Sequence, residues 1–533
     1  MTSHCTYINY QNTNSFSDLI YDYLQGKDSL KKVYQHEPTL DGVKAAIQSR
    51  KAFVNNRGLL HEVFSEAYIN AQVSAVQQAN IELLKDENTF TICTAHQPNI
   101  FTGYLYFIYK TAHIIAISKK LKSVLPEYNF VPVFYMGSED NDFEELSKFK
   151  MNGKTFQWHS DQKGAVGRMK VDKGLQGLVQ DVEKELGHLP FGPALMDIIK
   201  QAYAKGQDIA GATFSILNAL FASEGLLVLQ PDHAGLKATI KHIIKDDLLH
   251  QSAEKIVGQT NQELENNYKL QVNPRPVNLF YLRDGIRNRI EKRGNVYTVD
   301  DTVIKFTETE ILQELEENPD RFSPNVILRG IYQETILPNI LFVGGGSEVA
   351  YWMQLKALFQ HYKVPFPILI LRNSFMLMDR LQEHKLNELQ LSPADLFKEE
   401  IELSNEYVQK LAGKSIDLKA EEEESKKLFQ QLKQVAGSID KTLIQHVHAL
   451  ESDHFKKLST LEKKMLKAER NKQSVQLQRI WKLKSELFPH NNLQERVENF
   501  MPYYAKYGIN FIKCILDHSL VLEQQFGIIV LEN

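Results

Sequence analysis

The sequence has few cysteines, no strong charge bias and no long apolar run. Cys5, Cys93 and Cys514 lie far apart and form no CxxC pair, so a disulfide framework or a zinc site of that type is not expected. The net charge is −4, with both signs spread along the chain, which argues against a nucleic-acid partner. No apolar run approaches the roughly 20 residues that span a bilayer. The first residues lack a charged region followed by an apolar segment. We therefore expect a soluble, cytoplasmic protein without a signal peptide or a membrane partner.

The composition is that of a globular protein. With 43% hydrophobic and 24% charged residues in 533, the chain is long enough for two or three domains. Helical spacing covers residues 16–85, and short apolar, strand-like segments then alternate with helical ones. These segments are 90–95, 130–136, 225–230, 325–329, 339–343 and 367–371. Such alternation predicts an α/β fold with a doubly wound, mainly parallel sheet.

Two stretches interrupt the alternation and are predicted to be insertions over the carboxyl edge of the sheet. Residues 147–215 carry a short strand-like piece and amphipathic helices. Residues 270–325 include an antiparallel meander over 277–300, with turns at Asp284-Gly285 and Gly294-Asn295.

The chain changes character after residue 373. Between Pro393 and Pro489 there is no proline and only two glycines. Apolar positions from Leu428 to Ala468 recur about every 3.6 residues, which favours helix pairing with little supercoil. We predict an antiparallel hairpin of 418–436 against 441–486, packed on a second subunit or on its own core.

These patterns predict three parts of the chain. They are a core over residues 1–373, an α-helical coiled-coil domain over 374–487, and a C-terminal segment over 488–533 that packs back on the core.

The segment FTICTAHQPNIFTGYLYFIYK, residues 90–110, predicts a buried strand, a polar loop and a helix. Open α/β sheets bind ligands at such loops, at the carboxyl ends of their strands. Class I nucleotidyl-transfer enzymes carry an HxGH signature in this setting. Here His96 matches its first histidine, whereas Pro98 replaces the glycine and Asn99 the second histidine. The alternative is a polar turn that satisfies the strand end.

Three carboxylates follow the strand 130–136. Glu139, Asp140 and Asp142 could bind a substrate ammonium, hold Mg²⁺ or act as a general base toward an amine. The alternative is a solvated helix start, because acidic residues favour helix N-termini.

A glycine run, Gly344-Gly345-Gly346, lies between a predicted strand and a predicted helix. Its backbone amides could cradle a phosphate or a carboxylate, and Glu348 would suit a ribose hydroxyl or an amine. The run is neither a P-loop nor GxGxxG. The alternative is a tight turn with close helix packing.

Further polar residues near predicted strand ends make a lining of the same crevice plausible, although each could form an ordinary ion pair. They are Asp232, Arg329, Gln333, Glu334 and Arg372.

Five stretches of the chain resemble one known family in the same order. They are HQPNIFTGYLYFIYK, VPVFYMGSEDNDFEE, NLFYLRDG, SPNVILRGIYQETILPNILFVGGGSEVAYWMQLKALF and LFPHNNLQERVENFMPYYAKYG. The sequence resembles the BshC family of bacillithiol-biosynthesis cysteine-adding enzymes over almost its whole length. The family's first stretch usually begins Gly-Gln-Gln, so the resemblance shifts weight from His96 to Gln97, Thr102 and Gly103. Gly346 stands where the family often has proline.

The resemblance implies a Rossmann-like core with inserted connecting segments, plus a coiled-coil domain that mediates homodimerisation. It also implies a ligase that joins the carboxyl group of cysteine to the amine of glucosaminyl-malate. ATP with Mg²⁺ is the candidate cofactor, because amide formation from a free carboxylate is uphill. The alternatives are a related amino-acid ligase with another amine acceptor, and a non-catalytic nucleotide- or metabolite-binding protein that assembles through the helical arm.

The predicted site residues form a catalytic set and a substrate- or nucleotide-binding set, without an assigned metal-binding residue. The catalytic set is Glu139, Asp140 and Asp142. The binding set is His96, Gln97, Asn99, Thr102, Gly103, Asp232, Gln333, Glu334, Gly344, Gly345, Gly346, Glu348 and Arg372.

Overall fold

The computed structural model describes residues 2–412 and 417–532. Two compact units are present. The first comprises the described residues up to Gln11, Ser15–Leu377 and those from Asn492 onward, and the second comprises Asn12–Asn14 and Met378–Asn491. None of the helices within residues 2–412 and 417–532 has both the length and the hydropathy of a membrane span.

The strands, in chain order, are β1 Thr2–Asn9, β2 Thr89–His96, β3 Asn129–Met136, β4 Lys148–Met151, β5 Lys154–Gln157, β6 Leu227–Leu229, β7 Leu279–Arg283, β8 Ile286–Arg293, β9 Val296–Val299, β10 Lys305–Thr307, β11 Phe322–Pro324, β12 Asn339–Gly344, β13 Ile368–Leu371, β14 Ser374–Asp379 and β15 Gln525–Glu532.

The helices of the first unit are α1 Asp18–Leu24, α2 Leu40–Lys51, α3 Arg57–Tyr68, α4 Ala75–Leu83, α5 Leu105–Val124, α6 Phe143–Leu146, α7 Lys173–Leu186, α8 Gly192–Ala202, α9 Ile209–Phe221, α10 Ala234–Ala238, α11 Lys241–His250, α12 Ser252–Leu264, α13 Glu308–Glu317, α14 Val326–Ile336 and α15 Gly346–Tyr362. Those that follow in the chain are α16 Arg380–Glu388, α17 Glu400–Ala412, α18 Lys419–Ile439, α19 Leu443–Lys472, α20 Ser474–Leu487, α21 Met501–Tyr507 and α22 Ile509–Asp517.

A parallel five-stranded sheet forms the centre of the first unit. Its order is β13-β12-β2-β3-β6, and each neighbouring pair is parallel. The chain runs outward from β2 through β3 to β6 and then returns to the other side of β2 as β12 and β13. This reversal creates a topological switch point between β2 and β12, where α/β sheets bind ligands. The predicted Rossmann-like, doubly wound parallel sheet is confirmed.

Helix α5 is buried on nearly all sides because it packs against β2, β3 and α22. Its sequence from Leu105 to Ile117 is apolar around most of the helix, as expected for a core helix. The helical region predicted over residues 16–85 is also confirmed, as helices α1 to α4.

The two predicted insertions carry their own secondary structure. The first contains the β4–β5 hairpin and helices α7 to α9. The second contains an antiparallel sheet of order β10-β9-β8-β7-β11, and its turns lie at Asp284-Gly285 and Gly294-Asn295 as predicted. The strand-like interpretation of 325–329 is wrong. Asn325 caps α14 there, its Oδ1 accepting from the Ile327 amide at 2.8 Å.

The start and end of the chain meet in the first unit. Strand β1 pairs antiparallel with β15 over its whole length, and α22 packs against α5. Sequence analysis assigned neither strand, because their partners lie at opposite ends of the chain.

The second unit contains the predicted helical hairpin. Helices α18 and α19 run antiparallel, joined by a turn at 440–442, with Lys433 Nζ 2.6 Å from Glu451 Oε2 and His454 Nε2 3.0 Å from Ser425 Oγ. Helix α19 ends at Lys472, and α20 begins two residues later, after Gln473. Only Phe429 of α18 is buried, and no described residue of α19 is.

Candidate functional site

A cavity of about 690 Å³ lies at the carboxyl ends of the parallel strands. All five strands contribute, through the residues at or after their ends. The lining residues from the sheet side are Ala95, His96, Gln97, Tyr135, Gly137, Ser138, Glu139, Asp140, Pro231, Gly345, Gly346, Ser347, Glu348 and Arg372. Its position at the strand ends is where this fold class places ligands.

Helices and the second insertion complete the cavity wall. Tyrosines and arginines dominate this part, and the residues are Tyr104, Tyr106, Glu145, Arg287, Pro324, Asn325, Val326, Arg329, Tyr332, Tyr351 and Arg496. The wall therefore combines four arginines with four carboxylates and several aromatic rings, a lining suited to a polar small molecule with groups of both charges.

The structure divides the predicted site residues into two sets. Those that line the cavity are His96, Gln97, Glu139, Asp140, Gly345, Gly346, Glu348 and Arg372. Those that lie outside the lining are Asn99, Thr102, Gly103, Asp142, Asp232, Gln333, Glu334 and Gly344.

The acidic residues after β3 have three different environments. Asp142 is exposed and caps α6, its Oδ1 accepting from the Glu145 amide at 3.1 Å. Asp140 uses both oxygens, accepting from Gln97 Nε2 at 3.0 Å and from the Asp142 amide at 3.2 Å. Glu139 is buried with its Oε1 2.5 Å from Lys237 Nζ. Of the three, Glu139 alone combines a place in the cavity wall with an oxygen, Oε2, that no hydrogen bond of the described residues occupies.

Lys237 connects the ends of two strands. It lies on α10, is fully buried, and is 3.5 Å from Asp232 Oδ1 as well as 2.5 Å from Glu139. Asp232 pairs with Arg168 through both of its oxygens, at 2.6 and 2.8 Å. Burial raises the pKa of Asp232, but Arg168 and Lys237 together lower it by more than burial raises it. The net pKa is therefore below its ordinary value. Both carboxylate oxygens of Asp232 are therefore bound to Arg168, and Asp232 does not line the cavity.

The glycine turn uses one of its amides internally. The Gly345 amide donates to Glu348 Oε2 at 2.8 Å, and the same oxygen accepts from Lys110 Nζ at 2.6 Å. Burial raises the pKa of Glu348, while Lys110 and the other neighbours lower it, leaving the net pKa below its ordinary value. The Gly345 amide is therefore not open to a ligand phosphate, whereas Gly346 and Ser347 face the cavity at the start of α15.

His96 lies at the end of β2 beside Tyr106, with Nε2 3.4 Å from the Tyr106 hydroxyl. Burial lowers its pKa to about 3, with Lys110 contributing in the same direction. The imidazole is therefore neutral at pH 7. A neutral histidine does not supply the positive charge that the HxGH comparison would give to a phosphate contact.

Arg372 is held rigidly after β13. Its guanidinium forms two hydrogen bonds to Glu495, at 2.9 and 2.7 Å, and stacks over the Tyr106 ring at 5.0 Å. Bidentate pairing of this kind fixes orientation as well as charge. Glu495 comes from the C-terminal segment, which therefore supports one wall of the cavity.

The turn before α5 has an unusual backbone. Phe101, Thr102 and Gly103 have φ values of 51°, 63° and 65°, a region that only glycine adopts without strain. Asn499 Nδ2 donates to the carbonyl oxygens of Phe101 and Gly103 at 2.9 and 2.5 Å. Thr102 and Gly103 thus shape the turn beneath the loop and do not line the cavity.

Gln333 and Glu334 were predicted to lie near a strand end and to line the crevice, and this prediction of their position is wrong. Both are buried on α14, not at a strand end. Glu334 Oε2 pairs with Arg50 at 2.7 Å, and its Oε1 accepts from Gln333 at 2.9 Å and Asn339 at 2.8 Å. This network joins α2 to α14 and the start of β12. Gly344 is the last residue of β12, and Asn99 precedes a short turn; both are buried.

Several cavity residues were absent from the predicted set. They are Tyr104, Tyr106, Tyr135, Glu145, Arg287, Tyr351 and Arg496, with Lys110 and Lys237 directly behind the wall. One signal in the sequence could have indicated Lys110, because it is the only charged residue between Leu105 and Ser118 of an apolar helix. In residues 2–412 and 417–532, no three His, Cys, Asp or Glu side chains are grouped to hold a metal ion.

The fold and the cavity define a Rossmann-like α/β protein with an additional helical unit. The family model for the BshC N-terminal Rossmann-like domain of bacillithiol biosynthesis matches residues 3–373, and that for the BshC C-terminal coiled-coil domain matches residues 375–531. The chain belongs to the BshC family.

Curated relatives match along nearly the whole chain. The protein named "Putative cysteine ligase BshC" from Flavobacterium johnsoniae is 41% identical and covers 98% of this chain and 99% of its own length. The proteins of the same name from Flavobacterium psychrophilum and Christiangramia forsetii are 41% and 39% identical, covering 98% and 99% of this chain.

Proposed function

We propose that the protein is a cysteine ligase that joins the carboxyl group of cysteine to the amine of glucosaminyl-malate and forms bacillithiol. The observation that carries this proposal is the open Oε2 of Glu139 in the wall of the switch-point cavity, within a chain whose relatives are named as cysteine ligases. Glu139 accepts a hydrogen bond or a proton from an amine there, while the arginines that line the cavity receive carboxylate or phosphate oxygens.

ATP activates the cysteine carboxylate in this proposal, by adenylation or phosphorylation. Arg287, Arg329 and Arg496 have no ion-pair partner among the described residues, and each lines the cavity. Arg329 donates to the Tyr351 hydroxyl and lies 5.9 Å from the centre of the Tyr135 ring. These cations suit a phosphate or a carboxylate, and Mg²⁺ would enter with the nucleotide. We place the reaction in the cytoplasm, where cysteine and ATP occur together.

The reaction can be tested with purified protein, cysteine and glucosaminyl-malate, with and without ATP. Mass spectrometry should detect the amide product together with equimolar AMP or ADP. Product without nucleotide consumption would remove ATP from the mechanism. Absence of product with glucosaminyl-malate but turnover with another amine would identify a different acceptor, and ligand binding without any turnover would indicate a non-catalytic protein.

We also propose a homodimer formed through the helical hairpin. Apolar side chains of α18 and α19 are exposed in the single chain, among them Leu432 at 42%, Val435 at 60% and Leu450 at 51%. Contiguous exposed apolar surface is typical of an interface, and the hairpin leaves this surface uncovered within its own unit.

Light scattering at micromolar concentration tests the dimer. The wild-type protein should have twice the mass of one chain, and Leu432→Glu should shift it toward the monomer. Lys456→Glu, an exposed position on α19, is the matched control and should stay dimeric. A wild-type monomer would contradict the proposal.

A further inference from the structure

Lys237 joins three parts of the first unit at a single buried ammonium group. It is fully buried, and its Nζ lies 2.5 Å from Glu139 after β3 and 3.5 Å from Asp232 after β6. It also donates to the carbonyl oxygen of Asp320 at 2.7 Å, in the second insertion. A buried lysine is retained only when it is well paired and hydrogen-bonded.

The charges around Lys237 are matched in pairs. Arg168 satisfies Asp232 with two short hydrogen bonds, at 2.6 and 2.8 Å. Of the two carboxylates near Lys237, Asp232 already has Arg168 as its partner, and Glu139 lies closer, at 2.5 Å against 3.5 Å. No other cation of the described residues forms an ion pair with Glu139. Without Lys237, the buried carboxylate in the cavity wall would lose its contacting cation, and only the more distant Arg168 and Arg287 would offset its charge.

The backbone around Glu139 is fixed independently of Lys237. The Gly167 amide donates to the Ser138 carbonyl at 3.0 Å, and the Val166 amide donates to the Asp140 carbonyl at 2.7 Å. A Cβ on Gly167 would lie 2.4 Å from the Ser138 oxygen, so this close approach requires glycine. Because the main chain is held on both sides, the direction of the Glu139 side chain depends on Lys237.

We infer that Lys237 is a positioning residue, which holds Oε1 of Glu139 so that Oε2 is presented to the amine of the substrate. This inference rests on the proposed ligase function. Lys237 does not touch the substrate; it sets the orientation and the charge of the group that does. Misplacement of a reacting group by about 1 Å can reduce a rate on the order of 100-fold.

Four variants test the inference, namely Lys237→Met, Glu139→Gln, the double variant and Arg50→Met. Arg50→Met is the matched control, because it breaks a buried ion pair of similar burial with Glu334, outside the cavity. Lys237→Met should lower the melting temperature and lower kcat/KM for the amine substrate on the order of 100-fold, with KM for ATP unchanged. Arg50→Met should lower the melting temperature alone.

The double variant separates positioning from folding. Replacing Glu139 as well removes the uncompensated buried charge, so the melting temperature should recover toward that of the wild type. Activity should be no lower than in Glu139→Gln alone, because Lys237 acts through Glu139. Losses that multiply in the double variant, or an unchanged kcat/KM in folded Lys237→Met, would overturn the inference.

Hydrogen–deuterium exchange gives a readout that needs no turnover. Lys237→Met should increase deuterium uptake at residues 137–142 and 319–324, and Arg50→Met should not. If the wild type forms no amide, the proposed function fails. Deuterium uptake at residues 137–142 and 319–324 still tests whether Lys237 anchors these two segments. Unchanged uptake at both segments would refute its anchoring role.

Discussion

Two buried ion pairs of the first unit have similar chemistry but different surroundings. Glu334 pairs with Arg50, and its second oxygen accepts from Gln333 and Asn339, so the carboxylate is saturated inside the protein. Glu139, which lines a cavity, pairs with Lys237 through one oxygen, and no hydrogen bond of the described residues occupies the other. The difference indicates that burial and pairing alone do not mark a functional carboxylate. We propose that a functional carboxylate also keeps an acceptor oxygen that a ligand can reach.

The largest expected effect follows from replacing the open carboxylate. Glu139→Gln should lower kcat/KM for the amine substrate by about 10²- to 10⁴-fold, the range for loss of a general base. The isosteric amide keeps the shape but removes the charge that pairs with Lys237, so the unfolding free energy should also fall, by up to about 3–5 kcal/mol. Steady-state kinetics and denaturant unfolding measure both. A folded Glu139→Gln protein with wild-type kinetics would show that Glu139, like Glu334, has only a structural role.

Breaking the saturated pair should have the opposite profile. Arg50→Met leaves Glu334 buried without its cation and should lower the unfolding free energy by about 3–5 kcal/mol. Its kcat and KM should remain those of the wild type below the melting transition. Loss of activity in protein that circular dichroism shows to be folded would mean that this pair also supports the site.

Asp142 extends the comparison to a carboxylate outside both pairs. Asp142→Ala removes the cap of α6 and should cost about 1 kcal/mol of unfolding free energy. Asp142→Asn keeps a capping oxygen and should cost less. Neither should change kcat/KM by more than a few-fold, because the side chain is exposed and does not line the cavity at the strand ends. A loss on the order of 100-fold in Asp142→Asn would restore Asp142 to the catalytic set.

The smallest effect on turnover is expected at His96, which should instead influence the pH dependence of stability. Because burial lowers its pKa to about 3, the unfolded chain binds a proton below the ordinary pKa of 6.5 that the folded protein does not bind. The associated stability is present above pH 6.5 and is lost as pH falls toward 3, by at most about 1.4 kcal/mol per pH unit and less with partial solvent exposure.

His96→Gln should therefore reduce the loss of stability between pH 7 and pH 5, measured by denaturant unfolding. The pH dependence of kcat/KM near pH 6.5 should remain unchanged. A pH–rate limb near 6.5 that disappears in His96→Gln would show that His96 titrates during turnover.

The core and the helical arm were predictable because their signals are local. Residues 89–124 carry a buried strand, a proline-containing loop and an apolar helix within one short segment. The hairpin follows from helical periodicity and from the turn near Asp440. In contrast, β1 and β15 pair across the entire chain, and neither has a neighbouring segment that indicates its partner.

The site was only partly predictable. Sequence analysis placed Glu139, Asp140 and Asp142 in one cluster, since all three are acidic and adjacent, but the backbone turns each toward a different partner. Lys237 carried no local signal. Lys237 contacts residues that follow β3 and β6 and one residue of the second insertion. These three segments are far apart in the sequence and meet only in the folded protein.

The most direct test of the account compares single-turnover amide formation by the wild type, Glu139→Gln and Arg50→Met, with isotope-labelled cysteine, glucosaminyl-malate and ATP. The account predicts labelled bacillithiol from the wild type and from folded Arg50→Met at the same rate. It predicts a rate at least about 100-fold lower for Glu139→Gln. Equal rates in the wild type and Glu139→Gln would contradict the assignment of the reaction to the open oxygen of Glu139.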